Sequence, residues 1–158
     1  MDLELIFTIA NNSPMPAWLL LVFAPNWRWT QRIVHSILMP VLLGLAYALL
    51  LFTDFGGGGD GNFFSLAGVM ALFDKPQTVI AAWIHYLVFD LFVGAWQVRD
   101  AKRRGIRHLY VVPCLISTLM FGPFGLLLYL TLRAFLKRAT TLDESEVEQP
   151  SAAEPSGA

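Results

Sequence analysis

Two ionisable residues stand where a hydrocarbon phase would make them expensive. They are His85 and Asp90, inside the apolar run Ala82-Trp83-Ile84-His85-Tyr86-Leu87-Val88-Phe89-Asp90-Leu91-Phe92. An imidazole or a carboxyl serves acid–base catalysis when it reaches the reacting proton and holds a matched pKa. The run belongs to an apolar stretch from Gln77 to Val98, so its midpoint falls near Leu87 and Val88. Both residues then lie about 4 Å along the axis from that midpoint, at ~1.5 Å per residue. A charge there costs roughly 2.5–3.5 kcal/mol on insertion scales, so such groups face partners or water. The functional reading is an acid/base pair acting on a lipophilic substrate. The bland reading is interhelical hydrogen bonding, worth about 1 kcal/mol or less per bond.

Helix geometry limits how the two can cooperate. Five residues at ~100° each place them about 140° apart, so direct pairing along the helix is not expected. Tyr86, Asp90, Gly94 and Gln97 share one stripe, and His85 faces with Ala81, Ala82, Phe89 and Phe92. Two polar faces suit a bundle interior, with Asn11, Asn12, Ser117 and Thr118 as candidates to answer them. Asn11, Asn12, Trp83 and Tyr86 are therefore the expected substrate-binding residues, beside His85 and Asp90 as catalytic ones. No Glu-x-x-His or His-x-x-x-His spacing supports a metal among His35, His85, Asp54 and Asp90, and no cofactor is expected.

These residues need helices to hold them. The expected fold is all-α, an integral membrane bundle of about four hydrophobic helices. Span one, Leu3 to Ala24, carries Asn11-Asn12-Ser13-Pro14-Met15-Pro16 in its middle. Two prolines preclude a continuous helix, and Ser13-Pro14 resembles an N-cap and first position of a second half. Broken backbone at membrane depth is tolerated only where protein or a wet cavity covers it. Span two runs from about Ile33 to Phe52 with a kink expected at Pro40. The run Gly56-Gly57-Gly58-Gly59 lacks the Gly-Lys-Ser/Thr ending of a phosphate loop and reads as a linker. Phe63 to Phe73 is apolar but short, which fits an interfacial or re-entrant helix. Span three, Gln77 to Val98, precedes a basic loop of Arg99, Lys102, Arg103, Arg104 and Arg107. Span four, Leu109 to Arg133, contains Gly122-Pro123-Phe124-Gly125. A kinked single span is expected there, with two short legs as the alternative.

Composition agrees with a membrane protein. The chain has 158 residues, 56% of them apolar, and a formal net charge of −1; its mean hydropathy is +0.56. Length suits one domain, here 1–138, followed by a disordered acidic tail over 139–158. No basic stripe with interleaved aromatics suits nucleic acid. Cys114 is the only cysteine, so an internal disulfide is impossible. The start Met1-Asp2-Leu3-Glu4 lacks a positive n-region, so the first segment is expected to stay, in a bacterial inner membrane. Lysine and arginine in short loops put 99–107, Arg28 and Arg32 on the cytoplasmic side, and Asp54, Asp60 and Asp74 opposite. Arg133, Lys137 and Arg138 conflict with that order unless span four is re-entrant.

Ile9-Ala10-Asn11 with Pro16, Ala24-Pro25, Ala82-Trp83-Ile84-His85 through Asp90-Leu91-Phe92, and Gly122-Pro123-Phe124-Gly125 together resemble the abscisic-acid-deficient-four family. The likeness runs from about Leu3 to Arg133. It implies a four-span membrane protein acting on a carotenoid or another isoprenoid. The family's plant members are associated with neoxanthin synthesis from violaxanthin in plastid membranes. That conversion opens an epoxide and removes a proton to form an allene, without net redox change. It needs an acid and a base in a dry cavity, roles that His85 and Asp90 are expected to fill. The competing expectations are a non-catalytic membrane-protein partner or assembly factor, and a small transporter with polar groups at the midplane.

Overall fold

The computed structural model describes residues 2–54 and 61–142, and all regular structure among them is helical. The glycine run 56–59 and the acidic segment from 143 lie outside the described residues. Among the described residues three helical stretches are long and apolar enough to cross a membrane: Leu3–Phe23, Arg28–Thr53 and Pro76–Arg103. The chain divides into two compact units, residues 1–95 and 96 onward.

In the first unit the prolines break the first stretch where expected. It forms α1, Leu3–Asn12, and α2, Met15–Phe23. Asp2 caps α1 by accepting from the Leu5 amide at 3.1 Å, which satisfies one of the four orphan donors of a helix start. Ser13 has a different task from the one its sequence suggests. Its hydroxyl donates back to the Ala10 carbonyl at 3.1 Å, so it closes α1, and Pro14 stands at the start of α2 without a side-chain cap.

The second stretch is also two helices, α3 (Arg28–Ile33) and α4 (Leu38–Asp54). Pro40 falls in the first turn of α4, where its missing N–H has no partner to lose. The interruption therefore precedes the proline, and no kink forms in mid-span. Thr30 and Gln31 tie α3 to the turn after α2, donating to the carbonyls of Ala24 and Pro25 at 2.6 and 3.1 Å. Ala10, Leu43, Leu50, Ile80, Ala81 and Ile84 form the core in which α1 and α4 pack on α6, Pro76–Arg103.

Between α4 and α6 lies α5, Leu66–Leu72, too short to cross a bilayer. Ser65 caps it through the Gly68 amide at 3.0 Å. The Asn62 side chain accepts from the Phe64 amide at 3.0 Å and occupies the space a Cβ at Gly68 would need. The clasp presents Phe63 and Phe64 outward, 78% and 97% exposed.

In the second unit α6 continues through the expected basic loop to Arg103, so Asp100 and Arg99 are helical. The last stretch breaks more completely than a kink. It is two helices, α7 (His108–Phe121) and α8 (Pro123–Lys137), packed on one another. Gly122 ends the first and opens the second at φ +43°, a conformation that only glycine adopts without strain. Gly125 lies against Thr118 so closely that a Cβ there would overlap the Thr118 backbone. In a continuous helix those residues would stand about 10 Å apart along the axis, so the chain folds back as a hairpin.

Candidate functional site

The polar stripe of α6 forms as its periodicity predicts. Asp90, Gly94 and Gln97 are buried and Tyr86 is half-buried. Asp90 is 8% exposed, and the Tyr86 side chain stands one turn earlier on the same stripe, near enough to interact with its carboxylate. The second carboxylate oxygen, Oδ2, has no hydrogen-bond partner among the described residues. An unpaired buried carboxylate oxygen costs free energy in any apolar phase, so it invites a donor.

Upstream of Asp90 the stripe continues through stacked rings. Trp83 and Tyr86 lie 5.8 Å apart, centroid to centroid, at an interplanar angle of 22°. Trp83 Nε1 donates to Asn11 Oδ1 at 3.0 Å, which ties α6 to the last turn of α1. The structure therefore brings together Asn11, Trp83, Tyr86 and Asp90. Trp83 does not line a closed pocket, since it is 41% exposed.

His85 and Asn12 do not join them. The expected interior position of His85 is overturned: the residue is exposed, and its ring lies 5.9 Å from Tyr47 and 4.6 Å from Phe89. The 140° between the two positions sends one side chain inward and the other outward. Asn12 is also exposed and donates to the Thr8 carbonyl of its own helix at 2.8 Å. Among the described residues no three His, Cys, Asp or Glu side chains converge.

A second buried polar cluster was not foreseen from the sequence. Asp100 accepts from the Tyr129 hydroxyl at 2.7 Å and from Arg104 Nε at 3.0 Å. Arg133 Nε stands 3.5 Å from the same carboxylate, and another Arg133 nitrogen donates to the Thr141 carbonyl. Gln97 Nε2 donates to Thr118 Oγ1 at 2.9 Å and to the Gly125 carbonyl at 3.4 Å, at the tightest point of the hairpin. The available signal was Asp100 itself, the one acid in a run of five cations, spaced i to i+4 from Arg104.

The match to the family model of ABA DEFICIENT 4-like proteins covers residues 5–129. The chain belongs to that family. Within the ABA DEFICIENT 4-like region fall Asn11, Trp83, Tyr86, Asp90, Gln97, Asp100, Thr118 and Tyr129, with Arg133 beyond it. The protein ABA DEFICIENT 4, chloroplastic, of Arabidopsis thaliana is 26% identical to the chain over 138 residues. The alignment takes in 83% of this chain and 61% of that protein. No solved structure matches.

Proposed function

We propose that this ABA DEFICIENT 4-like chain is a membrane-embedded isomerase of oxygenated isoprenoids, carotenoid epoxides first among them, with Asp90 as its proton shuttle. The observation that carries the reading is the buried carboxyl of Asp90, with Tyr86 one helical turn away and its Oδ2 without a hydrogen-bond partner among the described residues. It sits midway along a helix long enough to cross a membrane. Isomerising an epoxide to an allenic alcohol transfers protons with no net change of oxidation state. The carboxyl gives its proton to the epoxide oxygen as the carbon–oxygen bond breaks. The carboxylate then takes a proton from the neighbouring chain carbon as the allene forms. One proton leaves and one returns, so a single residue completes the cycle and His85 is not required.

The test is co-expression in a host that accumulates an epoxycarotenoid. The expected product has unchanged mass and a new chromatographic position. Proton transfer contributes about 10²–10⁴-fold, so Asp90→Asn should lower product at least ~10²-fold at equal protein level. His85→Ala should leave it nearly unchanged. Equal product from wild type and Asp90→Asn removes the proposal. A folding defect in Asp90→Asn, with no pigment change in any variant, favours the non-catalytic partner instead.

The membrane reading has its own arrangement. Three crossings and a re-entrant α7–α8 hairpin bring Arg133, Lys137 and Arg138 to the face that carries residues 99–107. The charge conflict in the sequence then disappears. Arg28 and Arg32, each with its guanidinium 5.7 Å from the Trp29 ring, are assigned to the cytoplasmic side by the same charge rule. A relative that is chloroplastic by name supports a pigment-bearing membrane rather than the expected bacterial inner membrane. In a Cys114→Ser background, Asp2→Cys and Arg138→Cys should label with an impermeant maleimide from opposite sides. Labelling from one side excludes this topology.

A further inference from the structure

We propose that the basic face made by Lys102, Arg107, Lys137 and Arg138 holds the phosphate headgroup of an anionic phospholipid. The inference rests on the membrane reading and is independent of the acid–base chemistry. Residues 96–142 carry eight lysines and arginines against the single acid Asp100, a formal charge of +7. Asp100 engages Arg104 and Arg133 in the interior, and in doing so draws the end of α8 to the end of α6. Gly105, at φ +61°, turns the chain there, and a Cβ on it would lie 3.8 Å from Lys137 Nζ. The loop bearing Arg107 and the end of α8 therefore share one surface.

Arg107, Lys137 and Arg138 are exposed there and Lys102 is exposed on the last turn of α6, and no carboxylate among the described residues pairs with them. Charge alone would accept any phosphate. The neighbours select a lipid: Leu109 beside Arg107, and Phe135 and Leu136 beside Lys137, are exposed apolar side chains along which acyl chains can lie. Basic sites at helix ends bind anionic headgroups by this combination of cations above and hydrocarbon below.

The experiment uses the full chain in nanodiscs containing equal phosphatidylcholine and phosphatidylglycerol, followed by detergent extraction and counting of retained lipids. Wild type should keep phosphatidylglycerol in preference to phosphatidylcholine. The variant K102Q/R107Q/K137Q/R138Q should lose roughly tenfold of that preference, given that each cation near an anionic surface contributes measurably. Its melting in pure phosphatidylcholine should be unchanged, which shows that the fold survives. Millimolar inorganic phosphate should not displace the lipid. Equal retention by variant and wild type overturns the proposal. So does displacement by phosphate, which makes the face a free-anion site, or a preference that emerges only after removal of the acidic segment 143–158.

Discussion

Asp100→Ala is expected to destabilise the protein by about 3–5 kcal/mol, the range for a buried pair that loses one partner. Arg133 is 1% exposed and Arg104 is nearly as deep, so two guanidinium groups would be left in the interior without their carboxylate. Tyr129 would lose its acceptor at the same stroke. Unfolding of the detergent-solubilised protein, followed by tryptophan fluorescence, measures the effect. Arg103 supplies the contrast. It reaches Asp100 only at 3.9 Å and its side chain is 35% exposed, so Arg103→Ala should change stability by less than about 1 kcal/mol. Replacing both partners, Asp100→Ala with Arg133→Met, should recover much of the loss, because no uncompensated charge remains at position 133. If Asp100→Ala melts with the wild type, the cluster does not hold the helices.

Gly125→Ala should be nearly as damaging. The added methyl meets the backbone and hydroxyl of Thr118, and backbone cannot rotate aside as a long side chain can. The hairpin must open, and both Gln97 hydrogen bonds at that point open with it. Overpacking costs about 1–3 kcal/mol, and the rigid neighbour places this case at the upper end. Gly44 in α4 is the control, because a methyl added there would meet nothing within 4 Å. Gly44→Ala should therefore be neutral, or stabilising by up to about 1 kcal/mol through helix propensity. Equal melting of the two variants would sink the close-contact argument.

The helices long and apolar enough to cross a membrane were legible because hydropathy and proline placement act locally. Pro14 and Pro16 announced the break between α1 and α2. The period of 3.6 residues placed Tyr86, Asp90, Gly94 and Gln97 on one face without any tertiary information. The same arithmetic separated His85 from Asp90 by about 140°, which argued against direct pairing along the helix; that only Asp90 faces inward is set by the packing and was not legible in the sequence. Asp100 was hidden for a different reason. Apolar content ends at Val98 while the helix continues to Arg103, because a charged last turn costs little once its carboxylate has partners. Those partners, Tyr129 and Arg133, come from a helix that reaches Asp100 only through the reversal at Gly122. Gly-Pro-Phe-Gly signals a bend, and its angle depends on whether Thr118 tolerates the close approach of Gly125. Such steric information lies in the packing of two distant residues and has no signature in composition.

The clasp formed by Asn62, Ser65 and Gly68 bears on how the molecule can be handled. Its greasy knuckle of Phe63 and Phe64 lies in the turn before a helix too short to traverse a bilayer, and both rings stand almost bare. Copies extracted into small-headed, sparse detergent will find each other through this knuckle and elute as larger species. Broader amphiphiles, or a bilayer disc, keep it wetted by acyl chains and the preparation dispersed.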